Sequence, residues 1–151
     1  MNNREIRCTG FILNENNELL LLEHENIYGI RYWWLPGGGL EENESFESGL
    51  KREIKEELNL DVEIIDSFML DGEKLQRSYK KYFVGIIRIN KNIKIELEKT
   101  GKGKILKYEW FKINKMDNNS KIIMDSDIYP FVEKGINYLN NEIMIENLRD
   151  K

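Results

Sequence analysis

Residues Gly37 to Leu60 constrain what this chain can fold into more than any other stretch. Within them, Ser45 to Leu58 has a helical period: Leu50, Ile54 and Leu58 recur at every fourth position, and Phe46 opens the same apolar stripe one turn earlier. At about 100° per residue, Glu53, Glu56 and Glu57 stand at i, i+3 and i+4 and share one adjacent sector of the helix. Gly49 lies in that sector too, one turn before Glu53. Three like charges at this spacing repel, and a glycine inside a helix costs up to about 1 kcal/mol relative to alanine. Such a helix is poor by itself and is expected where something positive neutralises the glutamates. Before it stands Gly37-Gly38-Gly39, expected as a loop turning out of a strand, where backbone can approach a ligand closely.

The donor type narrows the neutralising group. The cluster offers carboxylate oxygen only, which suits Mg²⁺, Mn²⁺ or Ca²⁺. Zinc more often takes histidine or cysteine, and this chain has one of each, His24 and Cys8. Mg²⁺ uses few protein carboxylates and completes its shell with water and substrate phosphates, which fits phosphoryl-group chemistry. A Glu-rich helix alone is also what an ordinary solvated face looks like.

Charge is distributed unevenly around this helix. The formal net charge is −4, yet Glu41 to Glu63 carries nine acidic residues against three basic ones, whereas Lys74 to Lys121 carries fourteen basic against four acidic. The pair reads either as a cation site beside groups that attract a polyanion or as two solvated faces. A length of 151 residues is one domain's worth, and residues 1–151 read as a single domain able to bury a core. No apolar run approaches the length of a membrane span, and the N-terminus lacks a secretory pattern. A single cysteine allows no internal disulfide and fits a reducing cytoplasm.

Strands are expected at Arg7 to Leu13, Leu19 to Leu22, Tyr32 to Leu35, Val62 to Leu70, Lys81 to Asn90, Ile93 to Leu97 and Ile105 to Ile113. His24 to Arg31 and Lys99 to Lys104 read as loops. A second helix is expected over Tyr129 to Leu139, with Asp125, Ser126 or Asp127 as its cap. Mixed strands with one central and one C-terminal helix suggest an α/β sandwich.

The polar spacing is specific. Gly38 is followed after five residues by Glu44, and after seven more by Arg52-Glu53-Ile54-Lys55-Glu56-Glu57-Leu58-Asn59-Leu60. This resembles the Nudix box, G-x5-E-x7-R-E-U-x-E-E-x-G-U, with Leu35-Pro36-Gly37-Gly38 similar to the usual lead-in and Glu109-Trp110-Phe111 similar to a late strand of the family. One box position departs: the second glycine is Asn59, the next-best residue for a left-handed helix end. Asn43 likewise stands where many members have glycine.

The resemblance implies a fold and a chemistry. The fold is α/β, a Nudix-type α/β/α sandwich with a mixed sheet. Glu53, Glu56 and Glu57 would bind Mg²⁺ or Mn²⁺, with the Gly37 carbonyl as an extra ligand, while Arg52 would hold Glu44 and a metal-binding glutamate in place. The family reaction is hydrolysis of a nucleoside diphosphate linked to a group X, by water attack on phosphorus. The general base varies among members; Glu57 and Glu53 are the box candidates, and Glu96, Glu98 and Glu109 the outside ones.

Substrate signals are weaker. Tyr28, Tyr32, Trp33 and Trp34 suit base stacking, or equally a strand and its loop, where alternation turns only one of the two tryptophans inward. Arg31, Arg77, Lys80 and Lys81 suit phosphates or simply water; Gly38 and Gly39 offer backbone. His24 is expected at the surface and Cys8 as packing. The expectation is a cytoplasmic, Mg²⁺-dependent pyrophosphohydrolase acting on a small-molecule nucleotide: a (d)NTP, an oxidised nucleotide or an ADP-sugar. The alternatives are a catalytically silent nucleotide-sensing module and an RNA 5′-end pyrophosphohydrolase, the latter resting on the basic stretch alone. Nucleic acid is otherwise not an expected partner, and neither is a membrane. Pairing into a homodimer through sheet edges or the C-terminal helix is compatible with the family.

Overall fold

The computed structural model describes residues 5–73, 79–99, 104–113 and 128–149, without the side chains of 142–149. Arg77, the caps proposed at Asp125 to Asp127 and residues 100–103 of the Lys/Gly loop lie outside the described residues. Seven strands make one mixed sheet: β1 (Ile6–Leu13), β2 (Glu18–Glu25), β3 (Arg31–Trp34), β4 (Gly37–Gly39), β5 (Asp66–Asp71), β6 (Lys81–Arg88) and β7 (Lys104–Lys112). Helix α1 (Phe46–Leu58) follows β4, and α2 (Tyr129–Arg149) follows β7.

The layering follows from alternation along β1 and β2. Cys8, Ile12, Leu20 and Leu22 point to one side and bury the α1 stripe of Leu50, Ile54 and Leu58. Phe11, Leu13, Leu19 and Leu21 point to the other and pack with Phe131, Val132 and Leu139 of α2. Each fully buried aliphatic side chain of the α1 stripe contributes about 1.5–3 kcal/mol, so docking on the sheet stabilises a helix whose charges oppose it. The α/β/α sandwich expected from the sequence is therefore the fold found.

What positions the site is a splay in the sheet. β1 pairs in parallel with β6 along its whole length, but meets β2 only at Leu13 and Leu19. From there the two strands diverge. β3 adds to β2 and β4 adds to β1, with Arg7 to Thr9 opposite Gly39 to Gly37, so the chain fills the opening with the residues that precede α1. The Gly10 amide extends this pairing to the Pro36 carbonyl at 2.8 Å.

Four expectations change. Gly37-Gly38-Gly39 is a short strand rather than a loop, because β1 supplies a partner that local sequence does not reveal. Ile93–Leu97 forms no strand: its amides turn to the end of α1, Glu96 to the Leu58 carbonyl at 3.1 Å and Glu98 to the Glu57 carbonyl at 3.0 Å. Trp33 and Trp34 are both half-buried against the same cluster, Trp33 edge-on to Phe111 and Trp34 edge-on to Phe131, so strand alternation does not separate them. His24 is half-buried in β2, stacked on Tyr32. Among the described residues no helix is long and apolar enough to cross a membrane.

Candidate active site

Helix α1 begins and ends as its sequence dictates. Ser45 caps it, its Oγ accepting from the Ser48 amide at 3.1 Å. Asn59 ends it in the left-handed conformation, φ 55°, with its amide on the Lys55 carbonyl, so the asparagine serves where the motif has glycine. Asn43 also has positive φ, 66°. Gly49 is buried where a β-carbon would meet Leu40, Cys8 and Glu44, which accounts for a glycine inside the helix.

The glutamates differ in environment. Glu57 is 8% exposed, and its Oε1 accepts from the Gly37 amide at 2.6 Å. Burial pushes its pKa up to about 8, against the opposing pull of that amide and of the Arg7 charge. Glu53 is raised as well, chiefly by burial. Its carboxylate occupies the space a β-carbon on Gly38 would fill, so a larger residue there would displace Glu53. Position 37 does require glycine: φ is 148°, and a β-carbon there would strike the Cys8 carbonyl. Glu56 is half-exposed.

Arg52 ties the ridge together. Its Nε and Nη2 reach the two oxygens of Glu44 at 2.7 and 2.9 Å, its Nη1 reaches Glu53 at 2.8 Å and Glu56 at 3.3 Å, and its Nη2 also donates to the Gly39 carbonyl at 3.1 Å. Glu44 is held below the usual carboxylate range by this guanidinium, whose own pKa is raised in return. Among the described residues no three carboxylate, histidine or cysteine side chains already converge as an ion's ligand set. The donor chemistry nonetheless fits a hard divalent ion: carboxylate oxygens only, two of them on glutamates that burial holds toward the neutral form, beside a glycine that leaves room for one.

The outside acids separate clearly. Glu98 is anchored to α1 by its amide, and burial together with the Glu56 charge raises its pKa. Glu96 is held by Asn59 Nδ2 at 3.0 Å and by Lys94 at 3.0 Å. Glu109 pairs with Lys107 at 3.2 Å and stands opposite Leu21 in the ladder, on the α2 face of the sheet. Glu96 and Glu98 both border the depression beside Glu56, and of the three Glu98 is the one whose charge acts on Glu57.

Other candidates lie elsewhere. Arg31 pairs with Glu25 at 3.3 Å at the outer end of β3, beside Tyr32. Lys80 pairs with Glu5 at 3.0 Å and, with Lys81, borders a small separate depression of about 220 Å³. Arg7 was not singled out from the sequence. It sits on β1 at the splay, donates to the Leu35 carbonyl at 3.3 Å, has no partner for its buried Nε among the described residues, and acts electrostatically on Glu53, Glu57 and His24. No motif position marks it; its role depends on where β1 parts from β2.

Known proteins share both the sequence pattern and the fold. Residues 4–134 match the family model described as the NUDIX domain. Nudix hydrolase 5 of Arabidopsis thaliana is 35% identical over 80 residues, covering 50% of this chain and 26% of that protein, so the match spans about a quarter of the relative's length. A C. elegans Ap4A hydrolase superposes with a TM-score of 0.63 at 16% identity over 89% of this chain and 98% of that one. A MutT protein from Methanosarcina mazei Go1 gives 0.56 at 22% identity over 87% and 94%. The family model spans most of the chain, the glycine strand and the acidic helix included, and this chain belongs to the Nudix family.

Proposed function

We propose that this chain is a Mg²⁺-dependent pyrophosphohydrolase that cleaves a phosphoric anhydride in a nucleoside diphosphate-linked substrate. The observation that carries this reading is the state of Glu57: a carboxylate buried on a backbone amide, on the same helix sector as Glu53 and Glu56. A fold gains nothing from burying a carboxyl beside two others unless the group is used. Glu53, Glu56 and Glu57, with the Gly37 carbonyl, would hold Mg²⁺ or Mn²⁺. The ion would polarise phosphate, screen its charge and lower the pKa of a bound water. Arg52 and Glu44 orient the glutamates, and the Gly38 and Gly39 backbone lies beside them. Glu57 and Glu53 are the favoured bases within the helix. Glu98, poised at its end with a raised pKa, is the outside acid best placed to accept a proton.

Similarity of fold to an Ap4A hydrolase and a MutT protein supports a nucleotide substrate, with (d)NTPs, oxidised nucleotides and ADP-sugars as the leading classes. We infer that residues 1–151 form a single Nudix domain that works in the cytoplasm. A silent sensing module would not need this set of repelling carboxylates. The test is a Mg²⁺-supplemented screen over nucleoside diphosphate derivatives with Glu57→Gln as control. Turnover by the wild type that falls by orders of magnitude in the variant supports the proposal; equal turnover, or none by either protein, overturns it.

A further inference from the structure

We infer that the substrate's planar heteroaromatic base is held in the cavity between the Ile95 to Lys99 segment, the start of β7 and the tip of the β2–β3 hairpin. This inference rests on the pyrophosphohydrolase reading for the direction in which the substrate lies. The cavity measures about 830 Å³, inside the roughly 300–1,000 Å³ typical of small-molecule sites. Ile27, Ile95, Leu97, Ile105 and Tyr108 supply an apolar wall, with Asn26 beside them. Lys99 and Lys104 stand at its border, opposed by Glu25 and Glu98, so among the described residues its charges balance.

The placement relative to the ridge gives the orientation. Leu97, Glu98 and Lys99 line this cavity and also a second depression of about 570 Å³ that includes Glu56 and Asn59 at the end of α1. One surface therefore runs from the acidic ridge past Glu98 into the large cavity. The depression over α1 has Leu97 as its single apolar residue, and its acids Glu56, Glu96 and Glu98 outnumber Lys55 and Lys99, so it suits a phosphate chain through the divalent ion of the proposed function rather than by its own charge. The large cavity suits a flat, uncharged ring.

The hairpin tip supplies a second, independent observation. Ile27 is 90% exposed and Tyr28 81%, in a turn fixed by the Asn26 side chain, which accepts from the amides of Tyr28 and Ile30 at 2.9 and 3.0 Å. Of the two, Ile27 lines the cavity, and an exposed apolar side chain on a fixed turn there gains stability when a ring covers it. The aromatic residues favoured from sequence do not provide this wall: Trp33 and Trp34 pack into the α2-side cluster and Tyr32 stacks on His24.

The test compares wild type with Ile27→Asp, at a position 90% exposed and so with little packing to lose. Binding of AMP and GMP, which contain no anhydride to hydrolyse, is measured by calorimetry in Mg²⁺ beside binding of inorganic phosphate. The expected result is nucleotide affinity about tenfold weaker in Ile27→Asp, equivalent to about 1.4 kcal/mol, with phosphate affinity unmoved. Nucleotide affinity within twofold of wild type, or a parallel loss for phosphate, overturns the inference. If the wild type hydrolyses no nucleotide yet Ile27→Asp selectively weakens AMP, the cavity assignment stands and the enzymatic reading fails. If hydrolysis proceeds with the same KM in Ile27→Asp, the enzymatic reading stands and the cavity assignment fails.

Discussion

Arg52 grips Glu44 with two parallel contacts, Nε to Oε2 at 2.7 Å and Nη2 to Oε1 at 2.9 Å, while its remaining nitrogen spans to Glu53. One planar cation thereby fixes a residue outside the helix and a residue within it. The clamp also reaches the Gly39 carbonyl, so the glycine strand and the helix are held as one unit.

Arg52→Lys tests the fork. An ammonium is a point charge and cannot serve Glu44, Glu53 and Gly39 together. Expected is a loss of about 1–2 kcal/mol in stability and a fall of roughly 10–100-fold in Mg²⁺ or Mn²⁺ affinity, read by thermal denaturation and calorimetry. A lysine variant with unchanged metal affinity would show that the glutamates orient themselves.

Gly38→Ala probes the close approach on the other side. The added methyl would take the place of the Glu53 carboxylate, in backbone that alanine otherwise tolerates. The variant should fold, with a modest loss of stability as Glu53 swings away, and should lose most of its metal affinity and turnover. Circular dichroism with a metal titration separates the two effects. Full metal binding in this variant would remove Glu53 from the site.

The pH response of Glu57 has a definite sign. Its folded pKa, about 8, lies above its ordinary value of 4.5, so the folded chain holds a proton that the unfolded chain releases. In chelator, this contribution is complete below about pH 4.5 and is lost as pH rises to about 8, a change of the order of a few kcal/mol. The cleaner part of this range lies above pH 6.5, the ordinary value of His24, where the unfolded chain's imidazole is mostly neutral and its opposing contribution fades. Urea denaturation across pH 6.5–8 should show falling stability that Glu57→Gln flattens, and Mg²⁺ affinity should rise over the same range because the site sheds its proton. A flat wild-type profile would mean that Glu57 is already ionised.

The sequence carried the helix and its ends because those depend on neighbours within a few residues. Leu50, Ile54 and Leu58 define the buried face, and Asn59 marks the left-handed stop. What it did not carry depends on distant pairing. Gly37 to Gly39 become a strand only because Arg7 to Thr9 lie alongside. The Ile95 to Lys99 segment has strand-like alternation, yet its amides satisfy carbonyls at the end of α1, and that docking brings Glu98 to the ridge. Arg7 matters because β1 and β2 part after a single contact, a feature with no local signature. Glu109 fails as a base for a related reason: a ladder register, invisible in composition, turns it to the far face of the sheet.

His24 yields a prediction opposite in sign to that for Glu57. Its ring stacks on Tyr32 at 5.2 Å, its Nε2 is buried without a partner among the described residues, and burial together with the Arg7 charge lowers its pKa to about 4. The folded chain therefore resists a proton that the unfolded chain accepts below about pH 6.5, and stability is lost as pH falls from there toward 4. His24→Phe keeps the stacked ring and removes both the orphaned nitrogen and the titration. At neutral pH it should be more stable by about 1 kcal/mol. Its margin over wild type should widen by up to about 3 kcal/mol as pH approaches 4. Paired urea melts at pH 7 and pH 4.5 measure this directly. A margin that stays constant between them would show that the imidazole finds a partner in solution and titrates normally.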